Sequence, residues 1–278
     1  LKVGVVSRTD KSKVAEVVRG IVGHLESRGS EVLIEKETAL SLGIPGRNVD
    51  LKELKADLLV TVGGDGTILR TAMLIPDPGT LILGVNMGSR GFLTEVLPGD
   101  VKKALDKVLN GDHAVEECIK LSSRVLSLEA TFPDSLNEVL VASSRPSKML
   151  DLGLSVDGVH LIDIQADGAI VAPPTGSTAY NLSAGGSILS PGVEAMILTT
   201  TCPYSYFRSI VVPASSRISI RLLKPNVEAL AIIDGQDYNP LKPGSTVEVW
   251  KSRHKARFVR FKPFYEKLER RLTFRRVQ

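Results

Sequence analysis

Cysteine is scarce in these 278 residues: there are two, Cys118 and Cys202, far apart and without CxxC spacing. That argues against a disulfide-stapled scaffold or a thiolate metal ribbon. Both cysteines sit in apolar, strand-like runs and are expected to be buried thiols in a reducing cytosol. The four histidines are scattered, none at metal-ligand spacing, so no resident metal is expected. No apolar run approaches the roughly 18 residues needed to cross a bilayer. The opening LKVGVVSRTD has no secretory h-region and reads as a first strand. A cytoplasmic protein with no membrane partner is the expectation. Internal repeats and low-complexity stretches are also missing. Acidic excess is absent, because net charge is +4 and KSRHKARFVRFKP and KLERRLTFRR near the C-terminus are strongly basic. Those runs read as a solvated basic face or as attraction for anionic phosphates. No recognition motif for nucleic acid accompanies them, so no nucleic-acid partner is expected.

What is present suits two packed cores, with 43% hydrophobic and 24% charged residues. The first part alternates strand and helix signals. Strands are predicted at Lys2–Ser7, Val32–Ile34, Leu58–Val62 and Leu81–Val85. Val14, Val17, Val18, Ile21, Val22 and Leu25 follow a helical period, with Asp10 or Ser12 as cap and Gly29 as stop. A second helix is predicted over Val101–Leu109, with Ala104, Leu105 and Val108 on its apolar face. Ser41 to Asn48, holding Gly43, Pro45 and Gly46, reads as a mobile loop. Such alternation implies a mostly parallel sheet covered by helices.

Near residue 115 the pattern changes to short strands. They are predicted at Ser123–Ala130, Glu138–Val141, Leu150–Val156, Leu161–Ala166, Ala169–Ala172, Ile197–Thr201, Ile218–Leu222, Ala229–Ile233 and Val247–Trp250. Asp157-Gly158 supplies a tight hairpin turn. The expectation is an α/β domain over 1–114, an all-β domain over 115–255, and a segment 256–278 with a helix near Tyr265–Arg271 that returns to the first domain.

Two glycine-rich stretches carry chemistry. In LLVTVGGDGTILRTA an apolar strand runs into Gly63-Gly64-Asp65-Gly66-Thr67 and then a helix beginning near Ile68. Glycines let a backbone approach phosphate, and a helix N-terminus offers unpaired N–H groups. The stretch is neither a dinucleotide fingerprint nor a P-loop. Asp65 reads either as an acidic cap for the helix or as a carboxylate that meets a hydroxyl. The second stretch, ADGAIVAPPTGSTAYNLSAGG, gathers small hydroxyls, glycine and one aromatic ring after a strand. It suits a loop around a nucleobase, or alternatively a Ser/Gly-rich surface loop. Asn137-Glu138 at a strand start and Asp234-Gly235-Gln236 at a strand end are ordinary in isolation.

Taken together the chain resembles the NAD kinase family. The motifs are GGDGT at 63–67, NMGSRGFLTE at 86–95, NE at 137–138, ADG at 166–168, PTGSTAYNLSAGG at 174–186 and DGQ at 234–236. GGDGT is shared with diacylglycerol and sphingosine kinases and, loosely, phosphofructokinases, whereas TGSTAYNLSAGG with the flanking Asp-Gly is specific. Pro173 replaces the usual first Thr of the second motif, and Gln165 stands where many bacterial members have a basic residue.

The resemblance implies an α/β domain, a β-domain, NAD in the cleft between them, and homodimers or homotetramers. It implies ATP with Mg²⁺ as donor and the adenosine ribose 2′-hydroxyl of NAD as acceptor, with other nucleotides or polyphosphate open as donors. Asp65 would be the general base. Asn137 and Glu138 would hold the ribose, and Thr175, Thr178 and Ala179 the adenine, with Tyr180 alongside. Asn181, Leu182 and Ser183 continue that loop. Arg70, Lys148 and Asp167 would line the dinucleotide pocket, and Gln236 would meet NAD. Gly63, Gly64, Gly66 and Thr67 would face the donor phosphates, with Gly66 also near NAD. A lipid kinase would favour an exposed apolar acceptor surface or a membrane helix, and neither is seen. A non-catalytic NAD(P)-binding regulator would show a damaged Asp65 position, which is intact.

Overall fold

The computed structural model describes residues 1–9, 12–44, 48–88, 91–126, 131–145, 147–224 and 228–272. In chain order the first elements are β1 (Lys2–Ser7), α1 (Ser12–Ser27), β2 (Glu31–Glu35), α2 (Lys36–Leu42), β3 (Asn48–Val49), β4 (Leu58–Gly63), α3 (Asp65–Leu74), β5 (Leu81–Asn86), α4 (Val101–Leu109) and β6 (Ala114–Val125). Then follow β7 (Val139–Ser143), β8 (Leu150–Val156), β9 (Val159–Ala166), β10 (Gly168–Ala172), α5 (Tyr180–Ser183), β11 (Ala195–Thr201) and β12 (Ser209–Pro213). The last are β13 (Arg217–Leu222), β14 (Ala229–Ile233), β15 (Asp237–Leu241), β16 (Thr246–Arg260) and α6 (Phe264–Leu272). Two compact units result, Leu1–Glu117 with Ala256–Gln278, and Cys118–Lys255.

The first unit is a parallel sheet in the order β3-β2-β1-β4-β5, continued by the C-terminal end of β16, whose Arg257 and Phe258 pair with Leu81 and Ile82. β4 is buried along its whole length, as expected of a strand covered on both faces. Val14, Val18, Ile21 and Leu25 lie one helical turn apart on α1, are fully buried, and pack with Val3, Val5, Val60 and Leu105. The chain builds outward from β1 to β3, then returns to place β4 on the other side of β1. Order therefore reverses between β1 and β4, and ligands of open α/β sheets bind outside the carboxyl ends of strands at such a point. The Gly63-Gly64-Asp65 turn follows β4 there.

The second unit is antiparallel. One sheet runs β12-β11-β10-β7-β14-β15, and β8 pairs with both β9 and β13, which in turn pairs with Thr246–Trp250 of β16. Asp157 and Gly158, both at positive φ (52° and 79°), make the tight turn between β8 and β9.

Several expectations are corrected. Part of the supposed loop at 41–48 is ordered: Ser41 and Leu42 finish α2, Gly43 caps it in the left-handed region (φ 57°), and Asn48 opens β3. Its residues 45–47 lie outside the described set, as do Asp10, the 127–130 end of the strand at Ser123–Ala130, and residues 89–90 of NMGSRGFLTE. Helix α3 begins at Asp65 and not near Ile68. Cys118 is buried, but Cys202 is exposed, because it leaves β11 with a φ of 46° that turns it out of the strand. Within its described residues the basic C-terminal run is paired. Lys251, His254, Arg257, Arg260 and Lys267 each pair with a carboxylate, those of Glu194, Asp134, Glu117, Glu116 and Glu95 respectively.

Leu105 is fully buried on α4. Leu105→Ala should cost about 2–5 kcal/mol. A denaturant midpoint unchanged from the parent would show that α4 does not close this core.

Candidate active site

Asp65 opens α3 but does not cap it. Gly64 is the N-cap, and no side chain caps the helix. The carboxylate turns instead to residues 92–94. Phe92 N–H donates to Oδ2 at 2.8 Å, and Leu93 and Thr94 N–H donate to Oδ1 at 3.1 and 3.3 Å. A Cβ built on Gly91 would fall 2.3 Å from Oδ1, so only glycine lets this strip of backbone close around the acid. Three donors spread over both oxygens fix the orientation of the carboxylate.

Among the four residues assigned to donor phosphates, Gly64 and Gly66 have open space beside their Cα atoms. Gly63 does not. It ends β4 and packs on Thr67, whose Oγ1 lies 2.2 Å from where a Cβ would sit. Thr67 N–H closes the first turn on the Gly64 carbonyl at 3.1 Å. The first amides of a helix have no intrahelical acceptor, which suits them to an anion. Arg70 is anchored on the same helix by Glu35 at 2.7 Å and Glu37 at 3.1 Å, and Glu35 in turn accepts from the Thr38 hydroxyl at 2.6 Å.

In the second unit Asn137 and Glu138 immediately precede β7, and a second carboxylate arranges them. Asp234 ends β14, and its φ of 50° with Gly235 at 63° makes the tight turn into β15. Its Oδ2 accepts Leu136 N–H at 2.7 Å, and its Oδ1 accepts Asn137 and Glu138 N–H at 2.7 and 3.0 Å. The Asp234 N–H returns a bond to the Glu138 carbonyl at 3.0 Å. Sequence reasoning quoted Asp234 within DGQ but gave it no role, since its partners lie 96 to 98 residues away.

The loop after β10 meets the same dipeptide. A Cβ on Gly176 would lie 1.6 Å from the Asn137 carbonyl oxygen, so backbone passes against backbone there and only glycine fits. Asn181 is fully buried, and its amide is held: Nδ2 donates to the Ser177 and Ser187 carbonyls at 2.8 and 3.0 Å, and Oδ1 accepts from the Thr199 hydroxyl at 2.6 Å. Its side chain holds the loop's shape. The Thr178 hydroxyl bonds to the Thr175 carbonyl at 3.2 Å, and Tyr180 is exposed. Ser183 is exposed, Leu182 and Ala179 partly so. Asp167 sits between β9 and β10, tied by its backbone to Thr201 and Ser143. Gln236, beside Asp234, and Lys148, between β7 and β8, are exposed.

Glu138 is 8% exposed, and its Oε2 has no hydrogen-bond partner. Burial pushes its carboxyl up to about 8; the nearby Asp234 adds to the rise, and the Tyr180 N–H opposes it. Burial also raises Asp234, against its three backbone donors and the charge of Lys120. Buried Lys120 is held below its usual range by desolvation, which Asp134 and Asp234 oppose. At neutral pH Glu138 is therefore a neutral acid with a hydroxyl to donate. No group of three metal-ligating side chains is found among the described residues.

The raised Glu138 value has a signed consequence. Between the unperturbed 4.5 and about 8 the folded state binds more protons than the unfolded state, so stability falls as pH rises through that window. Glu138→Gln removes this loss. Its urea midpoint relative to the parent should therefore be higher at pH 8 than at pH 5, and a difference constant across that range would contradict the assignment.

Residues 3–113 match the ATP-NAD kinase N-terminal domain and residues 136–261 the ATP-NAD kinase C-terminal domain. An NAD kinase of Methanothermobacter thermautotrophicus is 40% identical over 275 residues, covering 98% of this chain and 96% of the relative. One from Moorella thermoacetica is 39% identical over 276 residues, covering 98% and 89%. Among solved structures, yeast NADH kinase complexed with NADH matches with a TM-score of 0.87 at 26% identity, covering 100% of this chain and 89% of that one. An NAD kinase from Archaeoglobus fulgidus in complex with ATP gives 0.77 at 29% identity, covering 97% of each chain. Matches to both of its domains and identity near 40% along almost the whole sequence place this chain in the ATP-NAD kinase family.

Proposed function

We propose that this protein transfers the γ-phosphoryl group of ATP to the 2′-hydroxyl of the adenosine ribose of NAD, giving NADP and ADP. The observation that carries the reading is the buried, unpartnered Oε2 of Glu138 beside the gripped Asn137-Glu138 backbone. A buried polar atom without a partner costs free energy, and a ribose hydroxyl would satisfy it. Thr175, Thr178 and Ala179 supply backbone and hydroxyl groups for adenine, with Tyr180 available to pack beside it. Asp167, Lys148, Arg70 and Gln236 are assigned to the rest of the dinucleotide.

Asp65 acts on the same ribose. A carboxylate is a weak base for an alcohol. Phosphoryl transfer tolerates that, because its transition state is loose in most analyses and the hydroxyl proton leaves late. The O2′–Pγ bond forms as the Pγ–O bond to the β-phosphate breaks, and the hydroxyl proton passes to the Asp65 carboxylate. Gly64, Gly66 and the first amides of α3 receive the donor phosphates. Mg²⁺ is assigned to the phosphates of ATP, the usual way Mg²⁺ is held in such reactions, where it offsets their charge. Other nucleotides or polyphosphate remain open as donors. A homo-oligomer formed through the antiparallel unit belongs to the same proposal, supported by the terminal strands β12 and β15 of its sheet. Cytoplasmic action is proposed with it; no described helix is long and apolar enough to cross a membrane.

Asp65→Asn should fold and still bind NAD, yet lose roughly 10²–10⁴ in kcat, the usual range for a missing general base. Turnover within a few-fold of the parent would leave Asp65 as an anchor for residues 92–94 only. Glu138→Ala should raise the NAD KM or lower kcat by about ten- to a hundredfold. Unchanged steady-state kinetics in a folded variant would remove Glu138 from the site.

A further inference from the structure

The segment that grips Asp65 is itself held from behind. Glu95, next in sequence to the three donor amides, has a fully buried side chain (0% exposed), and four groups converge on its carboxylate. Phe261 and Lys262 N–H donate to Oε1 at 2.7 and 3.1 Å. The Arg260 guanidinium reaches Oε2 at 3.5 Å, and the Lys267 ammonium of α6 donates to the same oxygen. Arg260 also donates to the Leu93 carbonyl at 2.9 Å and pairs with Glu116 at 2.6 Å. Phe264, the first residue of α6, stacks on Phe92 with ring centroids 6.5 Å apart. Arg260 and Lys267 are themselves nearly buried, 11% and 13% exposed.

Residues 92–94 therefore lie between two sets of restraints. Asp65 takes their N–H groups, while the C-terminal segment takes the Leu93 carbonyl, the Phe92 ring and the adjoining Glu95. The Glu95 and Val96 N–H groups bond to the Gly84 carbonyl of β5 at 2.8 and 3.2 Å, which ties the segment to the sheet. Buried ion pairs of this kind add little net stability over an apolar core, but breaking one side is disruptive because it strands a charge. Burial holds Lys267 below its usual range, and Arg260 lowers it further against the pull of Glu95.

We propose that Glu95 and Lys267 are positioning residues for phosphoryl transfer: they hold the amides of residues 92–94 in place, and through them the Asp65 carboxylate. The inference rests on the kinase reading above, with Asp65 as base. It makes α6 part of the catalytic scaffold, with no contact to substrate required. Misplacing a reacting group by about 1 Å can cost a hundredfold in rate. Loss of the strut should therefore appear in kcat and leave NAD affinity largely alone.

The test is Lys267→Met, with Lys267→Gln as the gentler change should the first not fold, in the full chain. Lys267→Met should lower kcat about tenfold or more with the NAD KM within about twofold. Lys267→Arg should recover most of the rate. In the Asp65→Asn background the same change should alter residual turnover by less than about twofold, because residues acting through one another are not additive. Amide hydrogen exchange at residues 92–94 should quicken in Lys267→Met while that of β4 does not. Additive losses with Asp65→Asn, an unchanged kcat in a folded variant, or unchanged exchange at 92–94 would each overturn the proposal. Parent enzyme that makes no NADP would instead count against the kinase reading, and the exchange measurement would still decide the strut.

Discussion

One device recurs in both units: an aspartate carboxylate closing on three consecutive backbone amides. Asp65 takes those of Phe92, Leu93 and Thr94, and Asp234 takes those of Leu136, Asn137 and Glu138. Hydrogen bonds to a charged acceptor are stronger than neutral ones, and three from successive residues leave the backbone little freedom. In the first unit the device orients the acid. In the second it orients the dipeptide that carries the other acid. Glycine makes the first possible, since Gly91 lets the strip near Asp65 close, and Gly176 lets the hydroxyl-rich loop lie against the gripped Asn137.

The two acids end in opposite chemical conditions. Asp65 is a partly exposed carboxylate beside glycines with open space. Glu138 is buried near Asp234 and holds its proton to about pH 8, suited to donate a hydrogen bond. Asp234 has the burial of a core residue, which raises its carboxyl against the opposing pull of three amides and Lys120.

Legibility from sequence followed the range of the forces involved. Helix α4 was readable to the residue, because its apolar positions repeat with the helical period and all face one core. Strand β4 and the parallel unit followed from long apolar runs. Helix α2 was missed: KETALSL is short, Leu40 is 69% exposed, and Gly43 reads equally as loop or cap. β12 and β15 were missed because they are terminal strands, with Pro213 and Pro240 tolerated where no neighbour needs their N–H. Motif positions were visible, but the roles of Asp234 and Glu95 were not. Their partners are about 100 and up to 172 residues away, and nothing local announces them. Only packing shows that the Asn181 amide ties its own loop to Ser177, Ser187 and Thr199.

The central claim is that these gripped acids serve phosphorylation of one particular hydroxyl. The most direct measurement is to incubate the parent protein with NAD, ATP and Mg²⁺ and locate the new phosphate by phosphorus–proton NMR correlation. The account predicts a product esterified at the adenosine ribose 2′-oxygen alone. No phosphorylated product, or phosphate at the 3′-oxygen, would contradict it.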